Sequence, residues 1–108
     1  MSLNNLVGKT LEVIDPDATV IKRLLSSAQR NIADAQVKQI SSENRFDAGY
    51  KAIMQLSIVA LQANGYRTLT SKPGHHMTVI QLLNKTVGLD QQTIIVLDAL
   101  RKQRHVAD

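Results

Sequence analysis

The residues of this chain that could do chemistry fall in two places that are far apart in the sequence. One is a polar connector after a long apolar stretch, and the other is the end of the chain. The side chains suited to binding an anion are Tyr66, Arg67, His75, His76, Arg101 and Arg104. Arginine binds phosphate groups, and a helix that begins after Pro73 and Gly74 would point its first N–H groups at the same ligand. The pattern predicts an anion site if the fold brings the two places together.

Arg101, Arg104 and His105 are also candidates for catalysis. Cleavage of RNA without a metal needs a general acid or base with a pKa near neutrality, and a cation that stabilises the charge developing on the phosphate. Arginine can do the second task and histidine the first. The alternative is structural, because Lys and Arg late in a helix complement its dipole without any ligand.

The adjacent residues His75 and His76 raise the question of a metal site. Neighbouring side chains usually diverge, and the chain has no cysteine that could complete a ligand set. The sequence also lacks the glycine-rich loops that bind nucleoside triphosphates or dinucleotides, and it lacks a nucleophile-elbow pattern. We therefore expect neither a metal nor a cofactor.

The composition limits the class of protein. Of the 108 residues, 13 are Lys or Arg and 9 are Asp or Glu, which gives a net charge of +4. This charge permits an acidic partner such as nucleic acid, but solubility alone also explains it. The absence of cysteine and of a long apolar run predicts a soluble, cytoplasmic protein without a membrane span.

Apolar spacing predicts four helices that would position these residues. They run from about Pro16 to Ile40, from Ser42 to Asn64, from His75 to Gly88 and from Asp90 to the end of the chain. The second helix is apolar on most sides, which is typical of a helix buried by several neighbours. Within it, Tyr50 is interpreted as a core residue, and Gly49 is expected to mark the close approach of another helix.

The predicted fold is all-α and forms a single domain over residues 1–108. Short connections favour antiparallel neighbours, so we expect an up-down-up-down four-helix bundle, with residues 1–14 as an arm or a short extra N-terminal helix. No run of alternating β-branched residues is bounded by turns, so no sheet is expected. The alternating helix directions would place the connector at the same end of the bundle as the close of the last helix.

Four segments, taken in order, point to a family. They are IKRLLSSAQRNIADAQ, FDAGYKAIMQLSIVALQANGYR, PGHH and LDALRKQRHVAD. The set resembles the HEPN family of small prokaryotic helical domains, and in particular a compact bacterial branch with a GYR…PGHH connector and a final LRxxR helix. The resemblance covers roughly Ala18 to Asp108.

The resemblance implies a four- or five-helix bundle that is often dimeric. Many HEPN domains are ribonucleases, toxins of toxin–antitoxin pairs or partners of small nucleotidyltransferases. The family's nuclease motif is an Arg followed a few residues later by a His, and the two are brought together across a dimer. Arg104 and His105 match the start of this motif, whereas the positions that would hold the motif's His after Arg101, residues 106–108, contain none.

These observations lead to three hypotheses. The leading one is a homodimeric HEPN-like domain without strong catalysis, whose basic end binds a nucleotide, RNA or a partner protein. The first alternative is a metal-independent ribonuclease, the toxin of a toxin–antitoxin pair, which would use Arg101 or Arg104 with a nearby His. The second is a partner subunit of a nucleotidyltransferase, in which an apolar face does the binding.

Overall fold

The computed structural model describes residues 3–69 and 75–107, and this part of the chain is mostly helical. The elements are a 3-10 turn (Leu3–Leu6), strands β1 (Leu11–Val13) and β2 (Tyr66–Thr68), and helices α1 (Ala18–Ala35), α2 (Ser42–Ala63), α3 (His75–Gln81), α4 (Leu83–Thr86) and α5 (Gln91–Ala107). The prediction of a helical protein is confirmed. The turn predicted at Pro73 and Gly74 lies outside the described residues, as do the side chains of His75 and His105. No helix in the described part of the chain is long and apolar enough to cross a membrane.

α2 is the helix around which the other elements pack. Its start is fixed by Ser41, whose hydroxyl accepts a hydrogen bond from the backbone N–H of Asn44 at 3.1 Å. Its end is fixed by Asn64 and by Gly65, whose φ of +89° lies in the left-handed region that favours glycine. α1 packs along one side of α2, and α3, α4 and α5 pack on its other sides. The predicted bounds of this helix and its burial by several neighbours are confirmed.

The core lies between α2 and the helices that follow it. Its larger cluster consists of Tyr50, Met54, Ala60, Val79, Ile80, Leu83 and Ile94. Its smaller cluster joins the N-terminal arm to α2 through Leu11, Leu61 and Leu82.

The prediction that the chain has no sheet is wrong. β1 and β2 pair in antiparallel register, with Leu11 opposite Thr68 and Val13 opposite Tyr66. Each strand has three residues, too few to show a period of two. The pairing depends on Gly65, which turns the chain back beside the N-terminal arm, where its carbonyl accepts a hydrogen bond from the N–H of Ile14 at 2.9 Å. The arm of residues 1–14 thus contains, in its described part, a 3-10 turn and a strand.

α1 differs from its prediction at both ends. It begins at Ala18, two residues after the predicted Pro16, and its N-cap is Asp17, whose carboxylate accepts hydrogen bonds from two backbone N–H groups of the first turn at 2.9 and 3.3 Å. It ends at Ala35, five residues before the predicted Ile40, because the Arg45 side chain donates to the Ala35 carbonyl at 2.9 Å. This long-range cap allows the chain to leave the helix early and turn into α2.

The predicted third helix is divided into α3 and α4. The division falls at Leu82. Leu82 packs in the smaller cluster and Leu83 in the larger one. Adjacent positions of a helix project about 100° apart, so these two consecutive leucines point to different parts of the core. Gly88, at a φ of +71°, ends this region, and Asp90 caps α5 by accepting a hydrogen bond from the Thr93 N–H at 2.7 Å. Both of these predicted boundaries are confirmed, but the four-helix bundle as a whole is not.

Candidate functional site

A buried tyrosine on α2 joins the start of α3 to the last turns of α5. Tyr50 is only 6% exposed. Its hydroxyl lies 3.5 Å from Nδ1 of His76, and the guanidinium carbon of Arg104 lies 5.1 Å from the centre of its ring. His76 and Arg104 come from the two places that the sequence singled out. We call Asp47, Tyr50, His76 and Arg104 the tyrosine cluster.

Asp47 completes this cluster from one turn earlier on α2. Its carboxylate lies 3.3 Å from Nε of Arg104, so the guanidinium contacts both an aromatic face and an anion of the same helix. Burial raises the pKa of Tyr50 above its ordinary value, against the opposing effect of the Arg104 charge. The phenol therefore remains protonated at neutral pH. Depending on the tautomer of His76, the Tyr50 hydroxyl donates a hydrogen bond to Nδ1 or accepts one from it.

A cleft of about 260 Å³ lies beside the tyrosine cluster, and His76 belongs to both. We call it the α2–α3 cleft. Its apolar lining is Met54, Ile58, Leu61 and Val79, and its polar lining is Gln62, Arg67, Thr68 and His76. Three elements contribute side chains to the cleft. The α2 residues recur at spacings of three and four, β2 runs along one edge and α3 closes the opposite edge. This arrangement suits a ligand that has one apolar part and one anionic part.

Arg67 reaches the cleft because of the strand register. β1 places Glu12 directly opposite Arg67, and their side chains form an ion pair across the two strands. The Arg67 side chain is still 61% exposed, so a ligand could contact its guanidinium. Tyr66, the preceding residue, serves the fold instead: its ring packs against the smaller core cluster and its hydroxyl donates to Asn4.

Arg101 makes its described contacts within α5. Its Nε donates to the Asp98 carboxylate at 2.8 Å, and this hydrogen bond from Arg101 lowers the pKa of Asp98. Lys102 lies 3.6 Å from the other oxygen of the same carboxylate. These described contacts of Arg101 are an ion pair within its own helix, which needs no ligand.

The structure thus brings together part of the predicted site. Arg67 and His76 share the cleft, and His76 and Arg104 share Tyr50. Tyr66 and Arg101 have other partners. The side chains of His75 and His105 lie outside the described part of the chain. The residues directly before α3, where an anion site is predicted, lie outside it as well.

Sequence reasoning missed the roles of Tyr50 and Asp47. The sequence predicts Tyr50 as a core residue, and it is indeed buried, but its polar end and ring face contact two candidate site residues. The signal that could have revealed it is the spacing of three between Asp47 and Tyr50, which puts an acid and an aromatic ring on one face of a helix. Gln62 and Thr68 carry no such signal.

A second cavity, which we call the apolar groove, lies on another side of α2. It has a volume of about 540 Å³ and is lined by Ile53, Leu56, Ser57, Val59, Ala60, Ala63, Leu83, Val87, Leu89 and Leu97. Two of its large apolar side chains are exposed to solvent, Leu56 by 41% and Val87 by 59%. Exposed apolar side chains that are grouped in this way, and not scattered singly, are unusual on a protein surface.

Among the described residues, no group of three or more His, Cys, Asp or Glu side chains is arranged to hold a metal ion. Comparison with protein-family models, with curated proteins and with solved structures found no significant match for this chain.

Proposed function

We propose that this chain is a HEPN-like helical domain that binds a nucleotide in the α2–α3 cleft without strong catalysis. The observation that carries the proposal is the meeting of Arg67 and His76 above an apolar floor. A nucleotide combines a flat, largely apolar base with an anionic phosphate. The base would lie on the floor formed by side chains such as Met54 and Ile58, and the phosphate would contact the rim.

The size and charge of the cleft favour a mononucleotide over a larger ligand. Its volume of about 260 Å³ is close to the lower limit of roughly 300 Å³ for small-molecule sites. Arg67 has Glu12 as its partner, and a bound phosphate would replace that carboxylate or share the guanidinium with it. Because these groups are exposed, the affinity should fall as the salt concentration rises.

The experiment is a calorimetric titration with the four ribonucleoside monophosphates and, separately, with inorganic phosphate. Arg67→Gln should weaken nucleotide binding about tenfold, which corresponds to about 1.4 kcal/mol for one charge-assisted contact. Two variants serve as controls. Glu12→Gln removes the ion pair but keeps the cation, so binding should be unchanged or tighter, and Lys85→Gln removes an exposed charge from α4. Absence of binding at millimolar nucleotide contradicts the proposal.

A ribonuclease is the second candidate, because His76 and Arg104 contact the same tyrosine. A general acid or base and a cation would then stand in one cluster, as metal-independent cleavage requires. Such an enzyme would be the toxin of a toxin–antitoxin pair, with an antitoxin or a nucleotidyltransferase as partner. Incubation with RNA in the presence of a chelator tests it: cleavage that disappears in both His76→Ala and Arg104→Ala supports it, and intact RNA contradicts it.

The same proposal includes a homodimer in the cytoplasm, with the bundle arrangement of HEPN domains. The exposed side chain of Ile95, on the flank of α5 away from the apolar groove, is consistent with a contact between two copies. Light scattering should report a dimer at micromolar concentration, and Ile95→Asp should convert it to a monomer. A wild-type monomer would contradict this part of the proposal.

A further inference from the structure

The apolar groove is lined by side chains that offer a ligand no free polar group. Ser57 is its one polar lining residue, and its hydroxyl already donates to the Ile53 carbonyl at 2.7 Å. A small polar ligand would find no hydrogen-bond partner among these side chains. The groove therefore suits an apolar surface.

The length of the groove matches a short stretch of helix. Its α2 side runs from Ile53 to Ala63, which corresponds to about 15 Å or three turns. Val87 and Leu97 stand on the opposite wall, so an inserted helix would contact side chains on both sides of it. Grooves of this kind receive the apolar face of an amphipathic helix at positions spaced by three and four residues.

The apolar surface continues from the groove onto α1. Hydrogen bonds from Gln55 to Ser27 at 2.7 Å and from Asn31 to Gln55 at 2.9 Å mark one flank of the antiparallel α1–α2 pair. Leu56 follows Gln55 and is turned by about 100° towards the other flank. On α1, the positions of Leu25 and Ile32 fall on that same other flank.

Leu25 and Ile32 are exposed, like Leu56 and Val87. Four large apolar side chains thus lie along one face of the molecule, around a groove that no described element fills. A contiguous surface of this kind marks an interaction site more often than scattered exposed residues do.

The charges at the border of this face favour an acidic partner. Lys22 lies three positions before Leu25 and so neighbours it on the α1 surface, and Lys85 stands next to the groove on α4. Both lysines are exposed. Two carboxylates directly follow lining residues in sequence, and both have partners: Asp90 accepts the capping hydrogen bond of α5, and Asp98 accepts from Arg101.

We propose that the apolar groove, together with Leu25 and Ile32, docks an amphipathic helix of a partner protein whose flanking residues are acidic. The helix would insert its apolar stripe above α2 and place Glu or Asp side chains near Lys22 and Lys85. A second copy of this chain fits less well, since it would bring another basic border against the first. The site is separate from the α2–α3 cleft, so it stands or falls independently of nucleotide binding.

The test uses two labelled peptides of about five helical turns. Both carry Leu at helical spacing on one face; one has Glu on its flanks and the other has Lys. Fluorescence anisotropy with the full chain should show that the acidic peptide binds at least tenfold more tightly, and that the difference shrinks in high salt. Equal binding of the two peptides would overturn the proposal, and so would the absence of binding at millimolar concentration.

Variants locate the site. Val87→Asp and Leu56→Asp should each weaken binding of the acidic peptide about tenfold, and both side chains are exposed enough for the fold to tolerate the change. Val13→Asp is the matched control, because it places the same charge on an exposed apolar position of β1 that does not line the groove. Unchanged affinity in both groove variants overturns the proposal. So does light scattering in which Leu56→Asp dissociates a dimer, since a second copy would then occupy the groove.

Discussion

Replacement of Arg104 by Ala tests whether the end of α5 is held to α2 by contacts within the chain. The guanidinium contacts two residues of α2: its carbon is 5.1 Å from the ring centre of Tyr50, and its Nε is 3.3 Å from the carboxylate of Asp47. The substitution removes both contacts. It leaves the helix propensity of α5 unaffected or slightly improved, because Ala is the best helix former.

The magnitude follows from the exposure of the partners. A cation over an aromatic ring stabilises by about 0.5–1 kcal/mol when exposed and by about 2 kcal/mol when desolvated. Arg104 is 28% exposed, so we assign about 1 kcal/mol to this contact. Asp47 is 46% exposed, and an ion pair so exposed contributes about 0.5 kcal/mol. Arg104→Ala should therefore lower the free energy of unfolding by about 1.5 kcal/mol, or Tm by about 6 °C.

The assay is urea denaturation followed by circular dichroism for a double-mutant cycle. It compares the wild type with Arg104→Ala, Tyr50→Leu and the double variant, and the expected coupling energy is about 0.5–1 kcal/mol. Arg104→Lys should keep the charge and lose the flat contact, with an intermediate effect. Gln103→Ala, at an exposed position of the same helix, is the control and should change stability by less than about 0.5 kcal/mol.

A coupling energy below about 0.3 kcal/mol would refute the reasoning, because it would mean that the ring and the guanidinium contribute independently. The same variants separate structure from function. If Arg104→Ala leaves stability unchanged but abolishes RNA cleavage, the guanidinium acts on a ligand rather than on Tyr50.

Three further predictions concern the fold. Ile80→Ala should destabilise the protein by about 2–5 kcal/mol in urea denaturation, because Ile80 is fully buried in the larger cluster. Gly65→Ala should lower stability by about 1 kcal/mol, because it forces a side chain to a φ of +89°. Gly49→Ala should raise stability by up to about 1 kcal/mol, because the new Cβ would lie an unstrained 3.9 Å from its nearest neighbour. A change of the same sign in both variants would contradict this. The hydrogen bond from Arg101 lowers the pKa of Asp98 below 3.8, so the stability that this pair adds is present above pH 4 and is lost on acidification. Between pH 5 and pH 3, the Asp98→Asn variant should therefore lose less stability than the wild type.

The expectation for Gly49 shows the limit of reasoning from residue type. A glycine inside a helix suggested that a neighbouring helix approaches closely. The structure does place α1 opposite Gly49, at Ala35, but it leaves room for a methyl group. Close packing decides whether a glycine is required, and packing depends on the partner's side chains as much as on the glycine.

Helix ends that depend on adjacent residues were predictable. Ser41 at the start of α2, Gly65 after its end, Gly88 after α4 and Asp90 before α5 all act on backbone groups within a few positions. The end of α1 was not, because it depends on Arg45, ten residues further along the chain. The division at Leu82 was not either; Leu82 and Leu83 are buried in two separate clusters, which are formed by residues distant in sequence.

The sequence by itself determined that the chain is helical, where its central helix lies and which side chains could bind an anion. Those properties arise from spacing and capping, which act over one or two helical turns. Only the tertiary structure decided that His76 and Arg104 meet at Tyr50 and that the antiparallel register of β1 and β2 places Glu12 against Arg67. It also decided that apolar side chains of α2 line a groove. Each of these depends on contacts between residues that are distant in sequence, and local propensity carries no information about such contacts. The polar connector and the helix end, set apart in the sequence, are joined through a tyrosine that belongs to the core.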